Sequence, residues 1–216
     1  MSEQTPRTRW AQLTGGASGS DYAARFEALA ASGQDIHGEA SFCAALVDPP
    51  ARVLDAGCGT GRVALRLHEL GFRCVGVDAD ESMLRAAMAA GVASANLVWV
   101  LDNLSALELG PHGVPGGFDL CVAAGNVIPL LAEGTLERTV AGLTKVLRPG
   151  GLLVSGFGLD EAHLPGNCPV TSLEAYDGAC GAAGLEQVVR HGTWQGTEFA
   201  DDGYAVSVHG RPLLLS

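Results

Sequence analysis

Lysine is nearly missing from this 216-residue chain: Lys145 stands alone among 13 basic residues, against 24 acidic ones, for a formal net charge of −11. No cluster of basic residues occurs along the sequence. Proteins that hold nucleic acid need a positive patch to neutralise phosphates, so the expected partners exclude DNA, RNA and anionic membranes. Long apolar runs are also missing. The stretch 118–131 carries Asp119 and Asn126 and falls short of the roughly 20 residues that cross a bilayer. The opening MSEQTPRTRW is polar and lacks an apolar h-region, so no secretory leader is expected and a cytoplasmic location is. The six cysteines (43, 58, 74, 121, 168 and 180) form no CxxC and no zinc-type pairing with histidine. Cys43, Cys74 and Cys121 sit in apolar patterns, where a free thiol behaves as a small hydrophobe. Reduced, buried thiols are expected, not a disulfide framework.

What is present is a globular composition, 47% hydrophobic and 17% charged, in a chain whose length favours one domain. From residue 52 strand and helix patterns alternate: strands at 52–56, 73–77, 97–101, 118–124 and 152–157, helices at 61–70, after Asp80, after Thr135 and at 172–183. Asp80 is placed to cap one helix, which stops at Gly91. Thr135 is placed to cap another, whose last turn carries Lys145 and Arg148 at the negative end of the dipole. Pro149-Gly150-Gly151 is read as a turn into the fifth strand. Two further strands, near 185–194 and 204–209, have no helix between them and should pair as a hairpin at one edge. The expected fold is therefore α/β: a Rossmann-like, seven-stranded, mostly parallel sheet with helices on both faces and a C-terminal antiparallel hairpin. The whole of 1–216 is read as one domain: a helical cover at 1–45, a cofactor-binding core at 46–158, and a helix plus closing hairpin at 159–216.

Val53-Leu54-Asp55-Ala56-Gly57-Cys58-Gly59-Thr60-Gly61 carries the chemistry. Three alternating glycines between strand and helix leave room for a ligand to press against backbone. A dinucleotide turn, G-x-G-x-x-G/A, would need a small third residue; counted from Gly57 that position is Arg62, and only a register shifted to Gly59 leaves a weak match at Ala64. Asp55, two residues before the first glycine, suits a ligand with a positive centre better than a pyrophosphate.

With these features the chain resembles the class I S-adenosylmethionine-dependent methyltransferases. Asp55, Gly57, Gly59 and Gly61 match the first motif of that family, and Gly76-Val77-Asp78 ends the second strand with the acid that accepts the ribose hydroxyls. Either Asp102 or Asn103 stands where the family meets the adenine amine. Phe118-Asp119-Leu120 matches its fourth strand, and Leu147-Arg148-Pro149-Gly150-Gly151-Leu152 its entry into the fifth. The resemblance implies a site for S-adenosylmethionine and its product S-adenosylhomocysteine made of Asp55, Ala56, Gly57, Gly59, Gly61, Asp78, Ala79, Met83, Asp102, Asn103, Leu104, Ala124 and Gly125.

It further implies a methyltransferase acting by in-line displacement, with the reacting groups at the end of the fourth strand. Asn126 is the polar residue expected nearest the reaction there, and His37 and His163 are candidate bases. Tyr22 and Arg25, one helical turn apart, are candidates for binding an anionic group. Gly125-Asn126 offers no carboxylates for a metal, so none is expected. The short variable segments favour a small-molecule acceptor, with the protein a monomer or homodimer. A nicotinamide-dependent oxidoreductase with a divergent turn and a cofactor-binding module without turnover are the alternatives.

Overall fold

The computed structural model describes residues 6–16, 18–91 and 93–213. Residues 1–5 and 17 of the expected N-terminal cover, 92 of the expected core and 214–216 of the expected closing segment thus lie outside the described residues. The cover forms three helices, α1 (Arg9–Thr14), α2 (Gly19–Ala31) and α3 (Gly38–Ala44). Then come β1 (Arg52–Ala56), α4 (Arg62–Glu69), β2 (Arg73–Asp78), α5 (Glu81–Ala90), β3 (Leu97–Leu101) and β4 (Phe118–Ala123). A short helix α6 (Val127–Leu130) precedes α7 (Leu136–Val146), β5 (Leu147–Gly158), α8 (Leu173–Ala182), β6 (Glu186–His191) and β7 (Tyr204–Gly210).

The seven strands form one sheet in the order β3-β2-β1-β4-β5-β7-β6. β1 to β5 are parallel, while β7 runs antiparallel to both β5 and β6. The closing hairpin is therefore inserted edge-inward: β7, the later strand, lies against β5 and leaves β6 outermost. Alternating residues divide the core between the two faces, as strand geometry requires. Leu54, Cys121, Ala123 and Leu153 join the side packed with Val140, Leu143, Tyr176 and Cys180 of α7 and α8. Val53, Leu120, Val122 and Val154 join the side packed with Ala40, Cys43, Val63, Ala64 and Leu67 of α3 and α4. All six cysteines are free and buried.

Three local expectations are corrected. Pro149-Gly150-Gly151 is not a turn before the strand but part of β5, whose pairing with β4 shifts register between Phe118 and Leu120. There Gly150 N–H donates to Arg211 O and Arg211 N–H to Gly151 O, so the neighbouring chain completes the strand. Thr135 occupies the N-cap position of α7 without capping it; its hydroxyl donates to Ala132 O at 2.7 Å. Arg148 lies beyond α7, where its Nε meets Asp119 at 2.5 Å instead of the helix end.

Strand order reverses between β1 and β4: the chain runs outward through β2 and β3 and returns on the other side of β1. Helices diverge at such a switch point and leave a crevice at the carboxyl ends of the strands. The Gly57–Gly61 turn follows β1 and Ala124-Gly125-Asn126 follows β4, so both border that crevice.

Candidate active site

The crevice holds a cavity of about 590 Å³, within the roughly 300–1,000 Å³ typical of small-molecule sites. Its walls include Gly57, Cys58, Gly59, Asp78, Ala79, Met83, Asn103, Leu104, Ala124, Gly125 and Asn126. Gly57 and Cys58 N–H groups donate to Val77 O at 2.8 and 3.0 Å, tying the turn to the end of β2. Gly59 N–H donates to Asp78 Oδ2 and Asp80 N–H to Asp78 Oδ1, both at 2.8 Å. The Asp78 carboxylate is thus held in one orientation, with lone pairs on both oxygens still to spare. Burial raises its pKa, and the backbone donors at Asp80 and Gly59 work in the opposite direction. At Gly59 (φ 54°) a side-chain carbon would occupy space 3.9 Å from Met83 Sδ and Tyr22 Cε1, which glycine leaves open.

Asp55, Ala56 and Gly61 do not line the cavity. Asp55 is 2% exposed, and its Oδ2 accepts from Ala64 N–H at 3.0 Å, so it fastens the first turn of α4 beneath the glycine loop. Ala56 is fully buried in the core. Gly61 (φ 78°) makes room for the Trp99 ring, which lies over both Gly61 and Gly76. Burial pushes the Asp55 carboxyl from 3.8 up to about 7. A raised acid keeps its proton in the folded chain after the unfolded chain has lost it, so its contribution to stability falls as pH rises from 3.8 to about 7. Asp55→Asn should flatten that decline, because the amide oxygen still receives Ala64 N–H but no longer titrates. Urea unfolding at pH 5 and pH 8 checks this; an undiminished decline in the variant refutes it.

At the far end, Asn103 and Leu104 line the cavity and Asp102 does not. Asp102 receives the N–H groups of Asn103 (2.7 Å) and Glu108 (2.9 Å), which shapes the loop after β3. Asn103 Oδ1 accepts from Ser105 N–H and Oγ, and its amide donates to Pro6 O at 3.3 Å.

The end of the cavity beyond β4 is built differently from the expectation. Asn126 adopts a left-handed conformation (φ 67°), and both ends of its amide are engaged. Its Oδ1 accepts from Gly158 N–H at 2.7 Å and its Nδ2 donates to His163 O at 3.0 Å. It borders the cavity as a staple between the loops after β4 and β5. His163 also borders the cavity, and Asp160 Oδ1 receives its ring Nδ1 at 2.7 Å. His37 is absent from the walls; it precedes α3, with a buried Nδ1 that has no hydrogen-bond partner among the described residues.

The N-terminal cover borders a further side. Trp10 Nε1 donates to Asp80 Oδ2 at 3.0 Å, and the Arg9 guanidinium to Pro129 O at 3.0 Å, so α1 bridges α5 and α6 across the crevice. Tyr22, Arg25 and Phe26 of α2 complete the wall. Arg62, the residue that misfits the dinucleotide pattern, pairs with both Glu39 oxygens at 2.7 and 2.5 Å and lies 4.7 Å from the Phe26 ring centroid. Burial works against its charge, but the Glu39 bonds prevail and raise its pKa. The sequence offered no signal for Glu39 or Trp10, because both reach the site across elements that only the fold brings together. Among the described residues no three metal-ligating side chains converge, and no helix is long and apolar enough to cross a membrane.

A fixed carboxylate after β2, an open glycine turn after β1 and a polar loop after β4, arranged about a switch point, define a site for a nucleoside-bearing cofactor. Residues 53–151 match a family model described as a methyltransferase domain. A solved TehB-like S-adenosylmethionine-dependent methyltransferase from Corynebacterium glutamicum is 30% identical, with 90% of this chain and 98% of that one covered and a TM-score of 0.78. The CcbJ methyltransferase from Streptomyces caelestis is 25% identical, covering 81% and 88% of the two chains at a TM-score of 0.66. Glycine N-methyltransferase of Rattus norvegicus is 33% identical over 113 residues, 48% of this chain and 39% of that protein. The chain spans about 40% of the length of the curated relatives it matches. The chain belongs to the S-adenosylmethionine-dependent methyltransferases, and S-adenosylmethionine is its cofactor. The nicotinamide reading is thereby set aside.

Proposed function

We propose that the chain transfers a methyl group from S-adenosylmethionine to a small-molecule acceptor by in-line displacement. The observation that carries this reading is one continuous cavity running from Asp78, Asn103 and Leu104, past Gly59, to Asn126 and His163. Bound S-adenosylmethionine supplies an electrophilic methyl on a sulfonium. Asp78 receives the ribose hydroxyls on its free lone pairs, Ala79 and Met83 flank the ribose and adenine, and Asn103 and Leu104 border the adenine. Gly59 leaves space for the methionine portion, with Ala124 and Gly125 opposite, while Gly57 makes room for the Val127 side chain. Asn126 holds the two loops at the reactive end together and so fixes where an acceptor can sit.

A crevice of this volume, bordered by α1, α2 and the segment around His163, supports a small acceptor. The lack of basic clusters argues against nucleic acid in that role. The test is a screen of small phenols, amines, thiols and carboxylates that reads S-adenosylhomocysteine production. Turnover of at least one class is expected; production only with protein or nucleic-acid acceptors would overturn the reading. A binding module without turnover would bind S-adenosylhomocysteine and turn over nothing in either set.

A further inference from the structure

Resting on that reading, we infer that His163, oriented by Asp160, is the general base and that the acceptor is a phenolic hydroxyl. The pair sits in the short turn after β5, with the His163 and Asp160 side chains 43% and 51% exposed. Asp160 Oδ1 receives both the backbone N–H of His163, at 3.1 Å, and its ring Nδ1, at 2.7 Å. The His163 carbonyl is held by Asn126 Nδ2. The ring lies against Gly203, where a side-chain carbon would stand 2.5 Å from His163 Cε1, and Gly158 likewise leaves room for His163 Cβ. The ring itself is thus met by Asp160 and Gly203, while Asn126 fixes the backbone that carries it.

The chemistry follows from the tautomer. An ionised carboxylate only accepts, so the proton on the neutral ring lies on Nδ1 and the lone pair lies on Nε2. Nε2 has no hydrogen-bond partner among the described residues. A histidine aligned by a carboxylate and free at the opposite nitrogen is arranged to take a proton. Neutral amines and thioethers attack with a lone pair already in place, whereas a neutral hydroxyl must shed its proton as it attacks. In the balanced step the acceptor oxygen bonds to the methyl carbon, the methyl–sulfur bond breaks, and its electron pair stays on sulfur. The hydroxyl proton passes to Nε2, leaving an imidazolium opposite Asp160. Apart from Asn126, whose amide is engaged by Gly158 and His163, the cavity walls on this side carry the apolar Val127, Leu130, Leu164 and Pro165. They suit the flat hydrocarbon body of a phenol better than a sugar or an amino acid, whose further polar groups would be stranded there.

The test uses the full chain, a panel of substituted phenols with the matching anilines, and 4-nitrophenol as a spectral probe. Phenols should yield S-adenosylhomocysteine, and His163→Gln should lower kcat by about 10²-fold or more with KM little changed. Asp160→Asn, which keeps the backbone bond to His163, should give a smaller loss of the same kind. In the complex with S-adenosylhomocysteine, where no transfer can occur, and at a pH acidic enough that the free probe is neutral, 4-nitrophenol should bind with the phenolate absorption band, and His163→Gln should abolish that band. Methylation of anilines with phenols inert, no binding of any phenol, or a His163→Gln enzyme as active as the parent would each overturn the inference. Calorimetry with S-adenosylhomocysteine separates the two readings. Unchanged binding in both variants leaves the methyltransferase assignment standing, whereas failure of the parent chain to bind would bring that assignment down instead.

Discussion

Replacing Asp78 with alanine is expected to weaken S-adenosylhomocysteine binding by about 10²-fold or more. A hydrogen bond to a charged group contributes about 1.5–3 kcal/mol, and a vicinal diol makes two with one carboxylate. Together they amount to about 3–6 kcal/mol, or two to four decades in Kd. Asp78→Asn should fall between the parent and the alanine variant. Its oxygen can serve only one of the two present donors, Gly59 N–H and Asp80 N–H, so part of the loss will come from loosening of the glycine turn. Isothermal calorimetry measures both, with thermal unfolding as the control for gross damage. An alanine variant binding within about threefold of the parent would remove Asp78 from the ribose role.

Gly61→Ala should act on folding instead of on the cofactor. Its new carbon would collide with the Trp99 ring and sit 3.0 Å from Ala87 Cβ, at a backbone φ of 78°. Overpacking costs about 1–3 kcal/mol and a left-handed conformation for alanine about 1–2 kcal/mol, so a loss of about 2–5 kcal/mol is expected in urea unfolding. Because Gly61 is not a cavity wall, the fraction that remains folded should bind S-adenosylhomocysteine with nearly parental affinity. Adding Trp99→Leu should recover part of the stability by clearing the collision. A double variant no more stable than Gly61→Ala alone would mean that backbone conformation, not the ring, sets the cost.

Much of the sheet is legible in the sequence because it rests on period-two alternation and on residues with local preferences. Val53 and Leu54 point to opposite faces as alternation requires, and Asp80 caps α5 with its Oδ1 on Ser82 N–H at 2.9 Å. What is not legible depends on contacts between distant segments. Asp55 and Asp78 are both strand-end acids beside the same glycines, yet one meets Ala64 beneath the turn and the other faces the cavity. No local pattern separates them, since both differ only in which way the backbone carries the side chain. The same holds for the three glycines: Gly59 leaves space for a ligand, while Gly57 makes room for Val127 and Gly61 for Trp99 from β3. Asn126 was expected near the reaction and borders the cavity, but its amide is consumed by Gly158 and His163, partners more than 30 residues away. His37 and His163 were alike as sequence signals; Asp160 and the two glycines behind His163 set them apart.

Lys145, the lone lysine, is exposed in the last turn of α7. The next residue but one begins β5, so Lys145 sits at the amino edge of the parallel strands, on the opposite side of the sheet from the crevice. Amine-reactive reagents therefore meet a single side-chain target, and orientation at that target follows once the α-amine is blocked. A dye or surface coupled there would leave the cavity, its α1 bridge and His163 facing away from the attachment, which makes the chain naturally suited to oriented immobilisation.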